Sequence, residues 1–203
     1  MEVFFAVLSF AFSSTITPGP NNLMMLASGV NYGVKASVPH LIGICLGFPL
    51  MVLLVGLGFG AVFSQFPALH SIIKWLGIAY LLYLSWKIAS SAPRALEGGN
   101  GKPFSFWQAA AFQWVNVKAW MMATGAIAAF TTVGGAVFWD VTQIVLAFFV
   151  MSFPCVGSWL VFGALLQNLL KTARAQRIFN IVMALILASS VVPLLVEEWR
   201  HFA

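Results

Sequence analysis

Two clusters in this chain carry residue types that could do chemistry. The first is Thr17-Pro18-Gly19-Pro20-Asn21-Asn22, inside an otherwise apolar stretch from Val3 to Val30. Two prolines and a glycine break a helix, because proline lacks an N–H and clashes with the preceding turn. A break at membrane depth is tolerated only where the freed backbone groups face protein or a water-filled cavity. A new half-helix is expected to begin near Pro20, since proline suits the first helical position. Its first amides have no intrahelical partner, and that end carries roughly half a positive charge. An anion can dock there. Asn21 and Asn22 add amide donors and acceptors, and Thr15 and Thr17 can bond back to the loosened turn. The competing reading is a kink that only shapes packing.

The second cluster is Gln113-Trp114-Val115-Asn116-Val117-Lys118-Ala119-Trp120. Lys118 falls about twelve residues into an apolar stretch, or ~18 Å at 1.5 Å per residue. A lysine near the bilayer centre costs on the order of 2.5–3.5 kcal/mol on insertion scales, so it is a functional hypothesis by default. Its partner is a substrate carboxylate, the helix C-terminal carbonyls freed near Pro18, or no fixed group when it is neutral. A purely structural cap on those carbonyls stands beside the functional role. Asn116 either bridges helices or touches a solute, and Gln113 is placed to orient that solute.

The absences also discriminate. No Asp or Glu lies within the core of any expected span. A carrier of lysine or arginine would benefit from a buried acid, so small neutral zwitterions fit better. Their ammonium could meet carbonyls or the amide oxygens of Asn21, Asn22, Gln113 or Asn116. Lys118 is then the best remaining titratable group for moving a proton. His40 reads as a solvated histidine near a mouth, with pH sensing as the minority reading. His70 and His201 read as interfacial. Cys45 and Cys155 read as small buried side chains without metal or redox spacing. There is no His-Glu-x-x-His, phosphate-cradling glycine loop or Ser/His/acid set, so no enzyme, metal or cofactor is expected.

The elements that must hold these clusters are membrane helices. Hydrophobic residues make up 61% of 203 and charged residues 7%, with a mean hydropathy of +0.96. A soluble domain is about a quarter charged. Crossing a bilayer takes ~20 apolar residues. Six spans are expected: 3–28, broken at Pro18-Gly19-Pro20, then 38–63, 70–90, 106–131, 138–166 and 177–196. The N-terminus has Glu2 and no Lys or Arg before its apolar run, so it reads as the first span rather than a secretory signal. The fold class expected is an all-α membrane protein in a single domain, 1–203.

Charge placement sets the orientation. Lys35, Lys87, Arg94, Lys102, Lys171, Arg174 and Arg177 follow spans 1, 3 and 5, whereas only Lys74 and Arg200 lie on the opposite side. Positive loops stay cytoplasmic, so both termini are expected outside the cytoplasm. The net charge of +5 is explained by that placement and is no nucleic-acid signal. Trp75, Trp86, Trp107, Trp139 and Trp199 sit near span ends, as interface anchors do. Other aromatics read as lipid-facing bulk, although Trp114 and Trp120 could wall a pore at the depth of Lys118. A Gly/Pro-rich linker, 91–105, divides two three-helix repeats, 1–90 and 106–203. Phe48-Pro49 recurs as Phe153-Pro154, and Lys74-Trp75-Leu76-Gly77-Ile78 corresponds loosely to Arg177-Ile178-Phe179-Asn180-Ile181. Three spans per half make the repeats inverted, with sites expected near the midplane where interrupted helices meet. Gly43-x-x-x-Gly47 and Gly56-x-x-x-Gly60 should let different neighbours pack closely.

Thr17-Pro18-Gly19-Pro20-Asn21, the run from Lys74 to Lys87, and Asn116-Val117-Lys118-Ala119 together resemble the LysE/RhtB family of bacterial amino-acid exporters over essentially the whole chain. Phe-Gln-Trp-Val-Asn-Val-Lys looks most like the branch that exports cysteine and O-acetylserine. The resemblance implies a multi-pass inner-membrane exporter of amino acids, driven by the ion gradient and compatible with a homodimer. Two departures stand out. Many members carry an aspartate where this chain has Phe48, which puts carboxylate coupling in doubt. Val117 replaces a proline, which implies a less sharply broken fourth span. The site implied is Thr17, Pro18, Gly19, Pro20, Asn21 and Asn22 with Gln113, Asn116 and Lys118, working by alternating access. A passive channel or a non-transporting scaffold subunit is the alternative.

Overall fold

The computed structural model describes residues 2–59, 67–91, 102–131, 136–192 and 195–196, and among them the elements are helical throughout, with no strand. Helix α1 is Glu2–Ile16, and α2 is Pro20–Leu54, extended by a π turn over Val55–Phe59. Helix α3 is Pro67–Ala89, and α4 is Phe106–Phe112, followed by a 3-10 turn over Gln113–Val115. Helices α5 (Val117–Phe130), α6 (Val137–Leu169) and α7 (Ala173–Ser189) complete the order. Most of the linker, together with Arg94, Glu197, Glu198, Trp199, Arg200 and His201, lies outside the described residues, as does the His70 side chain.

The first break lies where proline chemistry requires it: α1 stops at Ile16 and Pro20 opens α2, with Gly19 extended at φ −179°. The second span begins without the loop expected near 29–37. Gly33 alone interrupts α2, at φ 76° and ψ 176°, a backbone state only glycine enters at no steric cost. The chain folds back there: Ser28 Oγ lies 2.9 Å from His40 Nδ1, although twelve residues of straight helix would separate them by ~18 Å. Lys35 consequently sits in a helix rather than a loop.

The fourth span is also broken, and the absence of proline at Val117 does not prevent it. The 3-10 turn runs into Asn116, extended at φ −86° and ψ 102°, and α5 starts afresh. The Trp120 indole N–H donates to the Trp114 carbonyl at 2.9 Å, serving an acceptor that the break sets free. Trp114 and Trp120 therefore brace the break, with their rings edge to face at 6.1 Å.

Small residues set the helix crossings. A methyl group on Gly29 or Gly163 would meet backbone atoms of the opposing helix, so α2 and α6 cross there in near-backbone contact. Gly43 and Gly47 face Phe106, Ala109 and Ala110 of α4, whereas Gly56 faces Val141 and Ile127. Gly43 and Gly47 thus serve a different neighbour from Gly56, and Gly60 lies outside the described residues. Ile78, Leu81 and Leu84 of α3 pack with Met183, Ala184 and Leu187 of α7. Phe12, Leu50, Trp107, Phe138 and Leu165 are exposed. An outer surface so rich in large apolar groups suits lipid, since soluble monomers rarely show broad apolar patches. Two segments, Pro20–Gly58 and Val137–Leu169, are long and apolar enough to cross a membrane, and Phe4–Ile16 and Val117–Phe130 are shorter apolar helices.

A polar cleft where two helix breaks meet

The two breaks, a hundred residues apart in sequence, share one cleft. Lys118 Nζ donates to Thr17 O at 2.8 Å, to Thr17 Oγ1 at 2.8 Å and to Pro18 O at 3.2 Å. Its stem lies against Gly19, where an added Cβ would sit 2.7 Å from Lys118 Cδ. Asn21 and Gln113 exchange paired amide bonds, with Asn21 Nδ2 donating to Gln113 Oε1 at 2.9 Å and Gln113 Nε2 to Asn21 Oδ1 at 3.1 Å.

A helix C-terminus leaves carbonyls without partners, and here side chains from other segments serve those of α1. Asn22 Nδ2 donates to Thr15 O and Thr17 O, both at 2.8 Å. Trp159 Nε1 of α6 donates to Ile16 O at 3.0 Å. Lys118 completes the set, placing a cation at the negative end of the α1 dipole. Thr17 Oγ1 passes its own proton to Ser14 O at 2.8 Å.

Two half-helices also begin at the cleft. In α2 the first intrahelical bond runs from Leu23 N to Gly19 O at 2.9 Å, leaving the Asn21 and Asn22 amides without partners within the helix. In α5 the first is Trp120 N to Asn116 O at 3.2 Å, and the Asn116 side chain makes no capping bond. Gly19, Asn21, Asn22, Asn116, Lys118 and Ala119 all line the cleft, which is partly open. It can therefore offer amides and an ammonium to an anion, and amide or hydroxyl oxygens to a cation.

Every sequence-derived site residue lies in or beside this region. Thr17, Pro18 and Gln113 meet it through the hydrogen bonds given above, and Pro20 is buried at the start of α2. Lys118 and Asn116 line one wall although two residues apart, because Asn116 is extended rather than helical. Sequence reasoning missed several lining residues: Ser14, Ile44, Met122, Ser152 and Val156. Of these, Ser14 stands one turn before the break, and the others carry no local signal. Phe48 also lines the cleft, edge to face with Phe148 at 5.0 Å, so an aromatic ring occupies the position where an acid was in question. Thr15 joins the lining, with its hydroxyl oxygen unbonded.

His40 corrects an expectation. It is wholly buried rather than solvated, held by Ser28 and packed on the Phe104 ring at 5.2 Å. The fold-back at Gly33 carries it inward. Asn31 and Asn180 form a second reciprocal amide pair, at 2.8 and 2.9 Å, which ties α2 to α7. Cys45 and Cys155 are buried and form no disulfide. Among the described residues, no three His, Cys, Asp or Glu gather in a way that would hold a metal.

The family model of the LysE type translocator matches residues 12–198. The cysteine/O-acetylserine efflux protein of Escherichia coli strain K12 is 36% identical over 184 residues, covering 90% of this chain and 92% of that protein. The proteins of that name from Shigella sonnei strain Ss046 and Shigella flexneri match at the same 36% and the same coverage. No solved structure matches the chain.

Proposed function

The chain belongs to the LysE type translocator family, a multi-pass membrane family of transporters rather than enzymes, and from that membership we propose that it is a secondary active exporter of small neutral amino acids. Cysteine and O-acetylserine, the solutes named for relatives whose length the match covers to 92%, are the first substrates to test. The observation that carries the reading is the meeting of two broken helices around a polar cleft that holds one lysine. Two interrupted spans in corresponding places support the architecture of six spans in two inverted repeats, and the placement of Lys and Arg along the sequence supports both termini outside the cytoplasm.

Transport follows from competition for one ammonium. Without a solute, Lys118 is satisfied by Thr17 and Pro18 at the end of α1. A substrate carboxylate carries a full charge, whereas a helix C-terminus carries about half of one, so the carboxylate draws the ammonium away. The amides opening α2 and α5 then share the anion, beside Gly19, Asn21 and Asn22. Freed from Lys118, the end of α1 can shift, and access passes to the other side of the membrane. The Asn21–Gln113 pair keeps the two breaks in register while α1 moves.

Inside-out vesicles separate this carrier from a passive channel. The expected result is uptake of labelled cysteine beyond equilibrium, collapsed by an uncoupler. Uptake that stops at equal concentrations and ignores the uncoupler would establish the channel instead.

A further inference from the structure

Three buried oxygens at this cleft have no hydrogen-bond partner: Thr15 Oγ1, Asn22 Oδ1 and Asn116 Oδ1. Their residues are 7%, 3% and 3% exposed. They come from α1, α2 and the break before α5, and all three line the one cleft. Buried polar atoms are ordinarily paired, so three orphans in one lining mark a shared purpose.

The neighbouring acceptors are already taken. Asn21 Oδ1 and Gln113 Oε1 accept from each other's amides. Thr15 O, Thr17 O and Pro18 O accept from Asn22 and Lys118. Because the Asn22 amide nitrogen serves two carbonyls, the hydrogen-bond network fixes which atom of that amide is the free oxygen. Of the four amides able in principle to meet a cation, folding spends two on each other and leaves two open.

We propose that Thr15 Oγ1, Asn22 Oδ1 and Asn116 Oδ1 are the acceptor set for the primary ammonium of the exported solute. An ammonium has three N–H donors and no acceptor, which matches three oxygens lacking donors. The other cation in the cleft, Lys118, is held by separate oxygens. The acceptors are neutral, so they orient a charge without the tight grip of a carboxylate, which suits a solute that must be released. This assignment rests on the exporter reading and narrows it to solutes with a free primary ammonium. An N-acylated derivative has a neutral amide nitrogen with a single N–H and leaves acceptors unserved.

The test uses inside-out vesicles and labelled cysteine, with N-acetylcysteine as competitor and the variants Thr15→Val, Asn116→Leu and Asn116→Asp. In the unaltered protein, N-acetylcysteine should compete at least about tenfold more weakly than unlabelled cysteine. Thr15→Val and Asn116→Leu should each raise KM for cysteine about tenfold or more, the scale of one hydrogen bond to a charged group, and should narrow that selectivity. Asn116→Asp keeps the oxygen acceptors and should restore a low KM. Equal competition by N-acetylcysteine, or variants that slow transport with selectivity unchanged, would overturn the assignment. If the vesicles show no uphill uptake, the exporter reading fails separately. The acceptor set is then decided by tryptophan fluorescence of the purified protein. Saturable change with cysteine and O-acetylserine but not N-acetylcysteine upholds it; equal responses, or none, overturn it.

Discussion

Replacing Lys118 by methionine keeps most of the length of the side chain and removes its charge, so the consequences for folding and for transport can be worked separately. For folding, two effects oppose each other. A lysine near the bilayer centre costs on the order of 2.5–3.5 kcal/mol. Against this stand the three bonds to Thr17 and Pro18, each worth about 0.6–1.7 kcal/mol by the range measured in membrane proteins. The terms largely cancel, so Lys118→Met should change stability by no more than about 3 kcal/mol. For transport nothing cancels. A full charge 4 Å from the ammonium is worth about 4 kcal/mol at the effective dielectric of a protein surface, and the half charge of a helix end about 2 kcal/mol. The difference of about 2 kcal/mol is the preference for substrate over α1, roughly thirtyfold in affinity. Lys118→Met should therefore reach near-normal abundance and melt close to the unaltered protein in detergent, while KM for cysteine in inside-out vesicles rises thirtyfold or more. Lys118→Ala should abolish efflux, again with abundance near normal. Transport by Lys118→Met with an unchanged KM would refute the competition argument, and a collapse in abundance would show that the lysine is chiefly structural.

Gly19→Ala places a methyl group 2.7 Å from Lys118 Cδ and 3.0 Å from Nζ. The flexible stem can yield, so melting should hardly change, while an ammonium displaced from its three oxygens no longer competes with substrate, and KM for cysteine in vesicles should fall by up to about tenfold. Gly163→Leu meets backbone of α2 near Leu26 and Gly29 and should lower stability by about 1–3 kcal/mol or more through overpacking. Gly157→Ala, where nothing lies within 4 Å of the new methyl, should melt like the unaltered protein in the same assay. Asn21→Leu and Gln113→Leu should each destabilise by leaving an amide unserved, and the double substitution should recover part of the loss. A double-mutant cycle read by thermal unfolding is expected to give a coupling of about 0.6–1.7 kcal/mol.

Both clusters were legible as chemistry, but only the first as a full break. Pro18-Gly19-Pro20 cannot sustain a helix, and a lysine in an apolar run has to be accounted for, whatever surrounds it. Where each group finds its partner was not legible. Lys118 has three candidate partners in the sequence, and the fold pairs it with the carbonyls at the end of α1 while leaving it lining the cleft. Asn21, Asn22, Gln113 and Asn116 read as equivalent amides. The fold spends two on one another and leaves two oxygens open. His40 looked solvated because it follows the expected turn, yet the fold-back at Gly33 buries it against Ser28 and Phe104. Nothing local announces that one glycine replaces a loop.

Composition and punctuation along the chain thus determined a helical membrane protein with an interruption and a lysine inside an apolar stretch, because hydropathy and proline geometry act over a few residues. Tertiary structure alone decided that residues 17–22 and 113–118 share one cleft and which of their polar atoms remain unsatisfied. Hydrogen bonding is a short-range competition among groups brought together by packing, and a linear string does not record which of them arrive at the same place.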